Sequence, residues 1–216
     1  MKKLLIIGAG DLGQQICHFV TTDNQYDVVG FVDDWKQKNE LVCGHLVYGC
    51  INDTEKLYQD GVFDEVLIGI GYKHFDFRKA VYERFKSIVP FGTFVHSTCY
   101  VDPTAEIGKG VVIYPRCIID KNAQIKDNVF INWGSGIGHD AIVESHTFVA
   151  AMVLIAGLSH VGEKCMIGNG TVTIDHISIA DSTTIGGGAV VVKNIVEPNG
   201  VYVGNPARFL KNRVEQ

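Results

Sequence analysis

Positive charge is scarce in this chain and nowhere gathered: 19 lysines and arginines stand against 24 aspartates and glutamates in 216 residues, a formal charge of -5. Without a basic run, the sequence offers no electrostatic footprint for nucleic acid or an anionic membrane surface. Long hydrophobic runs are missing as well. "KLLIIGAG" and "DEVLIGIG" are strand-length and broken by glycine, far short of the roughly 20 apolar residues that cross a bilayer. "MKKLLIIGAG" starts like a secretion signal, but no small-x-small cleavage site comes after it, so it reads as the first β-strand of a cytoplasmic protein. The six cysteines (17, 43, 50, 99, 117 and 165) contain no CxxC pair and no zinc-like spacing. They read as reduced packing residues, and no metal is expected.

The residues that are present fall into two halves with different periods. Through residue 94 the segments alternate: "KLLIIGAG", then helical "DLGQQICHFVTTD", then "DVVGFVDD", later "FDEVLIGIG", helical "HFDFRKAVYERFK" and strand-like "SIVPFGTFV". This order implies βαβ units on a parallel sheet, a Rossmann-like α/β domain over 1–94. Between 35 and 62 the expectation is one short strand near "HLVYG" and a short helix near "DTEKLYQD".

From Val95 the period becomes six. Stepping from Val95 to Val191 meets seventeen positions, and all but Thr173 are Val or Ile. Those two residue types number 49 of 216, so chance supplies about four. Four residues after each comes a mostly small residue, such as Cys117, Ala123, Ser135 or Ala141, suited to a narrow interior. Glycines 108, 138, 162, 168 and 186 come directly after the aliphatic residue, where a tight corner calls for permissive dihedrals. The pattern is that of a solenoid whose rungs stack.

This repeat resembles the left-handed parallel β-helix of hexapeptide-repeat acyltransferases, in which three hexads make one triangular coil of 18 residues. That places the β-helix at 95–196 and leaves a C-terminal turn and tail at 197–216, ending in a short helix. Residues 18 apart then stack. Gly157 comes one coil above His139 and Lys121 one coil below, so the glycine should leave a recess beside an outward-pointing imidazole. A solvated surface histidine is the ordinary alternative. The neighbouring Asp140 favours a working base, because a carboxylate that fixes the ring's tautomer leaves the other nitrogen free to accept a proton.

The whole chain resembles the NeuD-type sugar acyltransferases, through "GHDAIVE", "ESH", "IGGGAVVVKNI" and "VGNPAR". The resemblance implies an N-terminal domain that binds a nucleotide sugar and a β-helix that binds acetyl-CoA. It also implies His139 as general base with Asp140 beside it, and His146 near the thioester. A homotrimer with sites between neighbouring β-helices is implied too. Gly157 and Gly186 are then candidates for close approach to the thioester and pantetheine, and Lys193 and Arg208 for the phosphates.

In the N-terminal half, "GAGDLG" is GxGxxG at Gly8, Gly10 and Gly13, after a strand and before a helix, with Asp33 twenty residues on. Read literally this is an NAD site. Half a dinucleotide fold suits a mononucleotide better, with a pyrophosphate on the glycine turn, Asp33 or Asp34 on the base or ribose, and Gly71 on the other wall. The family commonly carries Gly-His where this chain has Asp11 and Leu12, and an acid there repels a pyrophosphate unless it turns away. The expected reaction is acetyl transfer to the amino group of a nucleotide-linked 4-amino sugar. O-acetylation of a sialic-acid type sugar is the alternative. A γ-type carbonic anhydrase needs three converging ligands, which the spacing of His139, His146, His160 and His176 does not give. A nicotinamide-binding regulator is the remaining alternative.

Overall fold

The computed structural model describes residues 1–213, and the last three residues of the expected tail lie outside them. The chain forms two compact units, Met1–Phe94 and Val95–Gln216.

In the first unit, β1 (Lys2–Ile7), α1 (Asp11–Thr22) and β2 (Tyr26–Val32) make a βαβ unit. Then come β3 (Leu41–Val42), β4 (His45–Val47), α2 (Thr54–Gln59), β5 (Glu65–Ile68) and α3 (Phe75–Phe85). The sheet order is β3-β4-β2-β1-β5. All pairs are parallel except the β3–β4 hairpin. β1 lies between β2 and β5, and Leu4 to Ile7 are fully buried, which is why that strand reads as an unbroken apolar run. α1 buries Gly13, Ile16, Cys17 and Val20, one helical stripe. The hairpin partner Leu41–Val42 is an addition to the single strand expected in this region. "SIVPFGTFV" reads as a strand in sequence, but Phe91 makes only a single bridge, to Val66. Of that segment only Phe94–Val95 is a strand.

The second unit is a left-handed parallel β-helix of two-residue strands on three sheets. From Tyr100–Val101 to Val190–Val191 the coil strands pair in an 18-residue register, as in Ile119↔Ile137 and Ile137↔Ile155. The aliphatic column points inward. From Ile113 to Val191 its members are buried, whereas Val95, Val101 and Ile107 are only half-buried because no coil lies beneath them. The outward residues differ by sheet. One carries Tyr100, Ile118 and Leu154, all exposed; a second carries Glu106, Gln124, His160 and Ser178; the third carries the buried Val112, Phe130 and Phe148.

The structure corrects two expectations. The left-handed backbone falls three residues after the aliphatic position, at fourteen consecutive hexads from Gly110 to Gly188. Glycines 108, 138, 162, 168 and 186 are required for space instead: a Cβ on Gly168 would sit 2.6 Å from Gly187 N in the next coil. The C-terminal segment is also no helix. Gly200–Val203 pairs parallel with Thr184–Ile185, and Arg208–Asn212 returns antiparallel, extending the third sheet.

Gly168→Ala should therefore cost about 3 kcal/mol, because the obstruction is backbone, while Gly170→Ala, at φ +67 with open space around it, should cost about 1 kcal/mol. Urea unfolding of both variants checks this. The reverse order would mean that corner dihedrals, not coil spacing, set the glycine requirement.

Candidate active site

His139 and Asp140 lie at a corner between the strands Gly136–Ile137 and Ile142–Val143. Asp140 has the left-handed backbone of its corner, φ 57, a conformation that Asp tolerates better than most residues. Its main-chain N–H donates to Lys121 C=O, 2.8 Å, in the coil below. The turn brings its Oδ2 to 3.0 Å from His139 Nδ1. With Nδ1–H donating to the carboxylate, Nε2 carries the free lone pair.

A residue that sequence reasoning missed completes this arrangement. Asn122, 18 residues before Asp140 and also left-handed, donates from Nδ2 to Asp140 Oδ1, 3.0 Å. Its own N–H donates to Thr104 Oγ1. The Asn122 amide, then His139, holds the Asp140 carboxyl below the usual carboxylate range. The same 18-residue step that relates Gly157 to His139 relates Asn122 to Asp140, so the signal is present in the sequence.

Gly157 does stack on His139, but not as an open recess. Its side-chain direction is taken by the imidazole: a Cβ there would lie 2.5 Å from Nε2. The glycine is needed so that the ring can lie against the next coil. Gly157 C=O accepts from His176 N, and its N–H has no partner among the described residues. Gly138 keeps that N–H uncrowded, since a Cβ on Gly138 would be 2.6 Å from it. A proton acceptor and a main-chain donor therefore stand together in adjacent coils.

Other expected residues are elsewhere. His146 is buried, 3% exposed, at a different corner, with Nδ1 2.9 Å from Asn128 Nδ2 and Nε2 3.7 Å from Glu163. Its left-handed φ of 65 and its burial make it a turn residue of the coil stack. Gly186 makes room for the C-terminal strand, because Val203 Cγ1 fills the place of its Cβ at 2.8 Å. Lys193 and Arg208 are exposed, and Arg208 donates to Ala207 C=O. Neither meets His139 or Asp140 among the described contacts. No three His, Cys, Asp or Glu side chains among the described residues converge as metal ligands.

In the first unit, Gly8 (φ +100) comes directly after β1 and Gly13 lies in the first turn of α1. A Cβ on Gly13 would be 1.9 Å from Gly8 C=O, and one on Gly69 2.5 Å from Gly13 Cα, so three glycines close-pack where β1 and β5 end. Chain direction across the sheet reverses between these two strands, which is where open parallel sheets bind ligands. Gly10 and Gly71 face open space, Asp11 is exposed and Leu12 half-exposed. Asp33 has a different task from the one expected. Buried, it accepts from Ala9 N (2.7 Å), Trp35 N (2.8 Å) and Lys36 N (3.0 Å), tying the glycine turn to the loop after β2. Asp34 is exposed, with Oδ1 accepting from Ile51 N. Trp35, 77% exposed and edge-on to Phe77, adds an aromatic surface that no sequence motif singles out.

Residues 95–204, 110 of 216, match the family described as the GMPPB C-terminal domain. The chain belongs to that family. Residues 3–85 match the PglD N-terminal domain, so the β-helix is preceded by a PglD-type domain, as the NeuD-type resemblance implied. The solved acetyltransferase domain of PglB from Neisseria gonorrhoeae FA1090 has the same fold, with TM-score 0.88 and 24% identity over 97% of this chain and 100% of that one. PerB from Caulobacter crescentus, solved in complex with CoA and GDP-perosamine, has TM-score 0.89 and 22% identity over 98% of each chain. UDP-3-O-acylglucosamine N-acyltransferase from Bordetella avium (strain 197N) is 42% identical over 48 residues, 22% of this chain. That match spans only 13% of the relative's length.

Replacing Asn122 by glycine, which keeps the left-handed turn but removes the donor, should raise the Asp140 pKa toward its ordinary value. Carboxyl ¹³C titration reads it directly. An unmoved Asp140 would show that Asn122 does not hold the carboxylate.

Proposed function

We propose that the protein is an acetyl-CoA-dependent acetyltransferase of the cytoplasm, acting on the amino group of a nucleotide-linked 4-amino sugar. The observation that carries this is the pairing of His139 Nε2, its tautomer set by Asp140, with the Gly157 N–H one coil above, which has no partner among the described residues. Acyl transfer needs those two groups: an acceptor for the proton of the attacking amine and a donor for the oxyanion. His139 takes the proton as the nitrogen attacks the thioester carbon, and Gly157 N–H receives the developing negative oxygen. Collapse of the adduct expels the thiolate, which leaves protonated from the imidazolium. No acyl-enzyme is needed, and the inward cysteines are unsuited to forming one: burial pushes the Cys165 thiol up to about 12.

The nucleotide-sugar assignment rests on the PglD-type domain and on the glycine turn at its switch point. Asp34 replaces Asp33 as the carboxylate for base or ribose, and Gly8, Gly10, Gly13 and Gly71 bound the pyrophosphate. Asp11 is exposed beside them and must turn outward. The fold neighbour from Caulobacter crescentus, solved with GDP-perosamine, supports an amino-sugar acceptor. A homotrimer is supported by the exposed column Tyr100, Ile118 and Leu154 on one β-helix face, a surface that association would cover.

Purified protein should transfer acetyl from acetyl-CoA to one member of a panel of UDP-, dTDP- and GDP-linked 4-amino sugars, seen as thiol release, and His139→Asn should abolish it. Light scattering should give three times the 23.7 kDa chain mass. Transfer only to hydroxyl sugars would replace N- by O-acetylation, and transfer undiminished in His139→Asn would remove the histidine from the reaction.

A further inference from the structure

Thr173 is the one residue of the seventeen in the inward column that is neither valine nor isoleucine. It is 2% exposed, so its hydroxyl lies inside, in a column that is otherwise aliphatic. A buried hydroxyl is costly unless it bonds, and this one accepts a hydrogen bond from Ala156 N at 2.9 Å.

That bond breaks a rule which the rest of the solenoid keeps. At the residue after the inward one, the main-chain N–H donates to the carbonyl of the inward residue one coil up: Asp120 to Ile137, Gly138 to Ile155, Ala150 to Ile167, Ile174 to Val191. From His96 to Ile174, Ala156 alone departs, giving its N–H to the Thr173 hydroxyl in place of the Thr173 carbonyl. The ladder registers the same break, since Leu154 pairs with Val172 while Ile155 and Thr173 do not pair. The next peptide unit, 156–157, carries the Gly157 N–H that stands beside His139 Nε2.

We infer that Thr173 is a positioning residue for the acyl-transfer site: its hydroxyl draws the Ala156 N–H off the regular ladder and so sets the peptide that aims Gly157 N–H at the reacting oxygen. The inference rests on the proposed acetyl transfer. It assigns Thr173 no contact with substrate. Valine, the residue the column otherwise uses, would let Ala156 return to the carbonyl and rotate the donor away. Serine would keep the hydroxyl.

The test compares wild type, Thr173→Val and Thr173→Ser in steady-state transfer to the accepted amino sugar, with thermal unfolding of each. Thr173→Val should lose about 10- to 100-fold in kcat, the scale of a misplaced catalytic group. Its KM for acetyl-CoA should stay within about twofold and its Tm should not fall, while Thr173→Ser keeps most of the activity. A Thr173→Val variant with wild-type kcat would overturn the inference and leave the proposed reaction standing. Equal losses in the serine and valine variants, or a loss that tracks a lowered Tm, would overturn it too. A wild-type chain that transfers to no acceptor overturns the reaction, and this inference with it.

Discussion

The coil closes after eighteen residues, and the site depends on that closure. Three left-handed corner residues per coil return the chain over itself so that each strand pairs with the one 18 positions on. The ladder leaves little slack, because a main-chain carbonyl must meet the amide of the coil above at about 2.9 Å. Residues remote in sequence are therefore fixed neighbours. Asn122, Asp140 and His139 form one hydrogen-bonded run, and Gly157 lies against the ring only because the register permits no other neighbour.

The same closure explains how different chemistries share one scaffold. The inward column must be aliphatic and the fourth position small, but corner residues are free to vary wherever the left-handed backbone is tolerated. Asp140 fills such a position at little cost and gains a role there. His146 fills the equivalent position at another corner, where its ring is buried against Asn128. His139, one residue before its corner, is exposed, and His146, at its own corner, is buried.

Period and stacking were legible in the sequence. The six-residue column from Val95 to Val191 pointed to the β-helix, and adding 18 to His139 led to Gly157. Less was legible where side chains choose among partners. Asp33 occupies the place of a ribose-binding acid, yet three main-chain amides claim it, and sequence spacing cannot tell a ligand from an amide as partner. Gly186 looked like a ligand-facing glycine, but Val203, returning from outside the repeat, fills its space. The C-terminal strands lay beyond the repeat, where proline and glycine turns mark the end of the coil but carry no period from which a strand could be read. A glycine directly after the aliphatic residue suits a strained corner or a crowded one equally well, and period alone does not separate a dihedral requirement from a steric one.

In the proposed reaction His139 Nε2 and Gly157 N–H flank the reacting carbonyl. The most direct measurement is a crystal structure of the protein with acetyl-CoA bound. The thioester carbonyl oxygen should lie within hydrogen-bond distance of Gly157 N, and the acetyl carbon beside the lone pair of His139 Nε2. A thioester seated at another corner, with neither group in contact, would contradict it.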